Sequence, residues 1–409
     1  MKTILHSLTI ILIVCVTNSY AQTTAIPDSN FEQALIDLGH DSGTPDGSIL
    51  TATANAVTGT LDIRSKNISD LSGIQAFTSI IGLNIKTNSI TSLDLSALTQ
   101  LEVLEAAGNG MTSINVNGLT NLRLLIVQQN ALTSIDLTGL SGLDYLYLGE
   151  NQLTSVDVSD SPNIRRFYLN QNPNLGNFTF NNVAGLERFR FNGTGLTSLN
   201  IDLVNHPNLD HVYAYDCPNL TTIDITNSGS ATPVLKTVRF FNTAVASLDL
   251  SNVTSLTQVQ IQDNANLTEV NIKNGNNTAI TTANFKAANC PNLGCVKVDD
   301  ATYSTTNWTD IAASSSVEYY TTTCTLGIDE VKQLKVSVYP NPVSGTQIFV
   351  SSKEALTYSI HNMISQKVKE GRLSSGKSSI NISTLSNSLH FISLKTDGGD
   401  KKIIKFYKK

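Results

Sequence analysis

The chain has 409 residues and a net charge of −6, from 27 Lys and Arg against 33 Asp and Glu. The charge is uneven: residues 326–409 hold 13 basic and 6 acidic side chains, a net +7, which leaves −13 for the remainder. So acidic a body excludes broad contact with nucleic acid, whose phosphates need clustered Lys and Arg. The four cysteines beyond the first 21 residues, Cys217, Cys290, Cys295 and Cys324, are too few for a disulfide-dense scaffold.

The first 21 residues read as a secretory leader. Lys2 supplies the positive start, Leu8 to Val16 is an apolar run broken only by Thr9, and Ser19-Tyr20-Ala21 offers small residues for cleavage before Gln22. The run falls short of the ~20 apolar residues that a membrane span needs. Val14 stands before Cys15 where a lipoprotein would carry a small residue. No later apolar stretch has the length of a transmembrane segment, so none is expected.

Residues 22–56 predict a helical N-terminal cap. Ser29 with Glu32 three residues on has the spacing of a capping box, and Phe31, Leu35 and Leu38 fall on one helical face. Asp41 to Gly47 has oxygen ligands at alternate positions like a calcium loop, but lacks a third acidic position and a closing Glu. A turn after the helix explains it, and no metal site is assigned.

From 57 to 292 the sequence repeats. Units opening at Ile90, Met111 and Leu132 start 21 residues apart, and others open at Ile68, Leu153, Leu175, Leu196, Leu220, Val245 and Leu267. A fixed period of this size marks a solenoid, in which each unit buries its apolar face only against its neighbours. Within each unit the pattern is L-x-x-L-x-L-x-x-N, as in Leu101, Leu104, Ala106 and Asn109, or Leu143, Leu146, Leu148 and Asn151. The L-x-L alternation has the strand period of two, and the Asn can both donate to and accept from turn backbone as a buried ladder. Thr194, Cys217 and Thr243 replace Asn in the ladder, each able to bond a backbone carbonyl. Near Ile280 the register slips by one residue, which predicts a bulge. The second motif, LTSLDLS or a variant, predicts an extended or short 3₁₀ back wall.

Ten such units resemble the leucine-rich-repeat family in its short, internalin-like form, over residues 57–325. The resemblance implies a solenoid with a parallel β-sheet and a short non-helical back face. Positions flanking the inward strand residues then face out. They carry Tyr145 and Tyr147, Arg166 and Tyr168, and Arg188 and Arg190 in successive units. His211, Tyr213 and Tyr215 come next, then Arg239 and Phe241. Strands ~4.8 Å apart would join these eleven into one concave patch. Tyr and Arg dominate binding hot spots, and the chain is only 6% aromatic. Strand faces also favour aromatics on packing grounds alone.

No catalytic residues are assigned: no HExxH, GxSxG, Cys-x-x-Cys or phosphate loop occurs, and no cofactor is implied. His206, His211 and Cys217 are near in sequence, but Cys217 falls in the ladder and His211 on the outer face. Residues 293–325 break the repeat and contain the only tryptophan, Trp308, as a closing cap. Cys217 and Cys290 would stand about three strand spacings apart, roughly 14 Å, too far for a disulfide. The expected disulfide is Cys295–Cys324, closing the cap; Cys290–Cys324 is the rival.

After a linker at 326–336, residues 337–409 change character. SVYPNPVSG makes a fixed turn, and QIFVSS, LTYSIHN, SSINIS, HFISLK and KKIIKFYK read as a small antiparallel β-sandwich. The YPNP motif and Lys-rich end resemble the C-terminal sorting domain of Bacteroidetes type IX secretion cargo. Leu389-His390-Phe391 departs from the Gly-x-Tyr-like segment common in that family. The resemblance implies type IX machinery as partner and a secreted or surface location. The expected function is a binder, an adhesin or recognition module for a protein ligand. The alternative is a polysaccharide-capturing accessory protein working beside a separate hydrolase.

Overall fold

The computed structural model describes residues 21–229, 232–311, 317–321, 336–397 and 401–409. The expected leader, apart from Ala21, lies outside them, as do Cys324 and most of the expected linker. The chain forms two compact units, residues 1–324 and 325–409.

In the first unit, eleven short strands stack in parallel into one sheet, from Gly59–Asp62 and Ile80–Asn84 to Gln258–Gln260 and Phe285–Lys286. Consecutive turns pair without offset through the middle. Leu125, Leu146, Phe167, Phe189, Val212 and Val238 form one inward file, and all are fully buried. Burying each such side chain stabilises the stack by roughly 1.5–3 kcal/mol. The opposite wall is extended. It begins as two strand pairs, Ser92–Asp94 with Ser113–Asn115 and Ser155–Asp157 with Asn177–Thr179. It ends as a six-stranded parallel sheet from Ser198–Asp202 to Glu318–Tyr320.

The chain turns between these walls around the asparagine ladder. Asn151 accepts from Leu132 N at 3.1 Å, while its Nδ2 donates to Val127 O and Leu148 O at 3.0 and 3.1 Å. Asn109, Asn130 and Asn172 repeat this pattern. Thr194 Oγ1 donates to Phe191 O, and Cys217 Sγ reaches the same carbonyl at 3.4 Å. Thr243 differs from expectation: its hydroxyl donates to the Asn264 side chain, because Asn264 Nδ2 already takes Phe240 O. The slip near Ile280 produces no bulge. A 3₁₀ turn at Asn277–Ala279 absorbs the extra residue, and Phe285–Lys286 pairs in continuous register with Val259 and Gln260.

Both ends of the stack are covered. The N-terminal helix, Ser29–Asp37, is capped by Asp28 rather than Ser29. Asp28 Oδ1 accepts from Asn30 N and Phe31 N, and its Oδ2 accepts from Ser69 N, tying the cap to the first repeat. Phe31 and Leu35 are buried as expected, but Leu38 sits past the helix end at 44% exposure. At the far end Trp308 is buried, stacked on Phe285 at 4.3 Å, and its Nε1 donates to Ile280 O.

The second unit has a three-stranded antiparallel sheet, with Gln347–Ser352 between Ser337–Tyr339 and Gly376–Asn381. A four-stranded antiparallel sheet runs in the order Lys367–Leu373, Leu356–His361, Leu389–Thr396, Lys401–Tyr407. Ile348, Val350, Ile360, Ile392 and Phe406 share its core. Asn341 of the YPNP turn grips the last strand, donating to Lys405 O and accepting from Tyr407 N.

Candidate ligand-binding face

The eleven outward residues expected to form a patch lie on adjacent strands of the eleven-stranded sheet or just past their ends, all half-buried. They fall into three rows that cross the strands. In the first, Tyr145 stands opposite Arg166, Arg166 opposite Arg188, and Arg188 opposite His211. In the second, Tyr147, Tyr168, Arg190, Tyr213 and Arg239 are successive neighbours. The third holds Tyr215 and Phe241, whose rings stack at 4.7 Å with a 3° interplanar angle.

The second row is a continuous stack. The Tyr147 ring meets Tyr168 edge-on at 5.0 Å. The Arg190 guanidinium lies 5.2 Å from the centres of both Tyr168 and Tyr213, and Arg239 lies 5.1 Å from Tyr213. Arg190 and Arg239 come from the strands on either side of Tyr213, so both faces of that ring carry a cation. In the first row Arg166 covers Tyr145 at 5.4 Å. A hydrogen bond with Tyr147 pushes the Arg166 pKa up, keeping it charged. Such cation–π contacts contribute about 0.5–2 kcal/mol each and fix side chains that would otherwise be disordered. Among the described residues, the buried Nε atoms of Arg190 and Arg239 have no acceptor, and the buried Asn192 Oδ1 has no donor.

A charged row that the sequence reading missed borders the patch. Glu102, Arg123, Asp144, Arg165, Glu187 and Asp210 precede their strands at the repeat period and nearly alternate in sign. Arg123 approaches Asp144 at 3.6 Å and Arg165 approaches Glu187 at 2.7 Å. Asp210 pairs with His211. The signal was legible: the residue after the first apolar position of these six units is charged, and its sign alternates from Glu102 to Glu187.

The other candidates do not converge. Cys217 is buried in the ladder, His211 is on the patch, and His206 packs behind it, stacked on Phe180, where burial lowers its pKa. Among the described residues, no three His, Cys, Asp or Glu side chains are grouped to hold a metal. The Asp41–Gly47 turn is organised by Glu32, whose carboxylate accepts from Asp46 N and Gly47 N at 2.7 and 2.8 Å. Cys217 and Cys290 are free and buried, and Cys295 is disulfide-bonded.

The first unit is a solenoid of stacked parallel strands with an extended back wall, and a separate antiparallel module follows it. Residues 337–409 match the family model described as the secretion system C-terminal sorting domain. That module marks the chain for export to the cell surface or secretion, and it implies a secretion machinery as partner. No helix among the described residues is long and apolar enough to cross a membrane. The chain has no match among curated proteins. Solved structures similar to it include the functional domain of InlJ from Listeria monocytogenes, described as including a cysteine ladder. It is 16% identical with a TM-score of 0.41, covering 96% of this chain and 100% of that one. Another is the internalin InlF from the same organism, also 16% identical with a TM-score of 0.41, covering 72% of this chain and 95% of that one.

Proposed function

We propose that this chain is a surface-displayed or secreted binding protein, an adhesin or recognition module, and not an enzyme. Its concave face, centred on Tyr147, Tyr168, Arg190, Tyr213 and Arg239, is the ligand site. One observation carries the reading: the stacked Tyr–Arg row, an ordered file of large amphipathic side chains on an otherwise ordinary strand surface. Pre-ordered aromatic and guanidinium groups lose little entropy on binding, which is why such residues anchor interfaces.

In this reading residues 1–21 are the cleaved leader and 22–56 the opening cap. Residues 57–292 are the recognition body, 293–325 the closing cap, 326–336 a linker and 337–409 the address. A Cys295–Cys324 disulfide locks the closing cap. A protein ligand is favoured over a polysaccharide, because both faces of Tyr213 and one face each of Tyr145 and Tyr215 are already covered by neighbouring side chains. Sugar stacking needs a bare ring face. Screening the purified chain against a host-protein panel and a glycan array tests this: selective protein capture supports it, and glycan capture alone contradicts it.

A further inference from the structure

Seven arginines lie between residues 22 and 325, and they divide sharply. Arg64, Arg123 and Arg165, outside the patch, are each paired with a carboxylate of the chain. Arg166, Arg188, Arg190 and Arg239, inside it, have no ion pair among the described residues. The neighbouring acids are already committed: Asp144 and Glu187 to Arg165, Asp210 to His211, and Asp216 to Asn242. The patch is therefore a cluster of arginines without ion pairs in a body, residues 22–325, of net charge −14.

Resting on the concave-face reading above, we propose that the ligand is an acidic polypeptide segment, whose carboxylates pair with Arg166, Arg188, Arg190 and Arg239. Three features set that chemistry. The guanidiniums of Arg166, Arg190 and Arg239 are held in place by flanking rings, so their outward N–H edges are pre-aimed, and a carboxylate matches two parallel N–H groups. Tyrosine hydroxyls beside them add donors and acceptors suited to peptide backbone. With both faces of Tyr213 and one face each of Tyr145 and Tyr215 covered, few platforms are left on which an acidic sugar chain would stack. The net negative charge of the rest of the body disfavours an anionic partner elsewhere, which concentrates encounter on the patch.

The test measures binding of the purified mature chain to poly-L-glutamate, poly-L-lysine and polygalacturonate at low ionic strength. The wild type is compared with R190Q/R239Q and with Y147A/Y168A/Y213A, circular dichroism checking that each is folded. The proposal expects polyglutamate to bind most tightly, to weaken at least tenfold in R190Q/R239Q, and to weaken again as salt screens the charges. No polyglutamate binding, or equal binding by R190Q/R239Q, overturns it. Polygalacturonate binding more tightly than polyglutamate, but lost in the tyrosine variant, also overturns it while leaving the concave site intact. A probe that binds all three proteins equally removes the concave site itself.

Discussion

The guanidinium of Arg239 lies 5.1 Å from the centre of the Tyr213 ring, one strand away. Both side chains lie on the outer face, half-buried, and Arg190 meets the same Tyr213 ring from the strand on its other side. Order on this surface is thus supplied laterally, row by row, and the core is indifferent to it.

That separation predicts unequal costs on a single strand. Phe189 is fully buried and stacked on Phe167 at 5.4 Å, whereas Arg190, next to it, is half-buried on the outer face. Phe189→Ala should cost roughly 3–5 kcal/mol through the cavity it leaves. Arg190→Ala should cost about 1 kcal/mol, the scale of its cation–π contacts. Urea unfolding of the two variants checks the contrast, and similar midpoints would contradict it.

The asparagine ladder should be far less tolerant than its polarity suggests. Asn151 is fully buried and satisfies the Leu132 amide, the Val127 carbonyl of the preceding turn and the Leu148 and Gly149 carbonyls of its own. Asn151→Ala strands those groups without water, a loss on the order of 3 kcal/mol. Thermal unfolding should reveal it, and a shift below one degree would refute the ladder's role.

How much of this was legible in the sequence depended on repetition. The repeat, with its spacing of 21 to 26 residues, located the strands, the ladder and all eleven outward positions, because a period of two fixes which side each residue faces. Single, unrepeated choices were harder. Ser29 and Asp28 can both cap a helix, and only the contact of Asp28 with Ser69 decides between them. The strand Lys367–Leu373 was missed because KVKEGRL has charged residues on both faces. It sits at the edge of its sheet, where little of it is buried.

The cysteines divide by environment. Burial pushes the thiol pKa of both Cys217 and Cys290 up, so little thiolate is present near neutral pH, and only thiolate alkylates. Under native conditions both should resist iodoacetamide and react after unfolding. Peptide mapping without reduction should recover Cys295 linked to Cys324. A linked peptide containing Cys290 would overturn that pairing.

Passage from the periplasm to the surface should depend on the C-terminal module. Removing residues 328–409 leaves the solenoid with its own core and should trap it in the periplasm of its native host. Fractionation with an antibody to the solenoid reads this out, and normal surface display of the truncated chain would contradict it.

The concave face is tested most directly by Y147A/Y168A/Y213A, assayed beside wild type for capture of whichever partner the protein panel identifies. All three rings are half-buried on the outer surface, so the unfolding midpoint should move little. Their removal strips the anchors from the patch, and capture should fall at least a hundredfold, the loss expected when several hot-spot residues go together. Capture at wild-type strength by the folded variant would place the binding site elsewhere on the molecule.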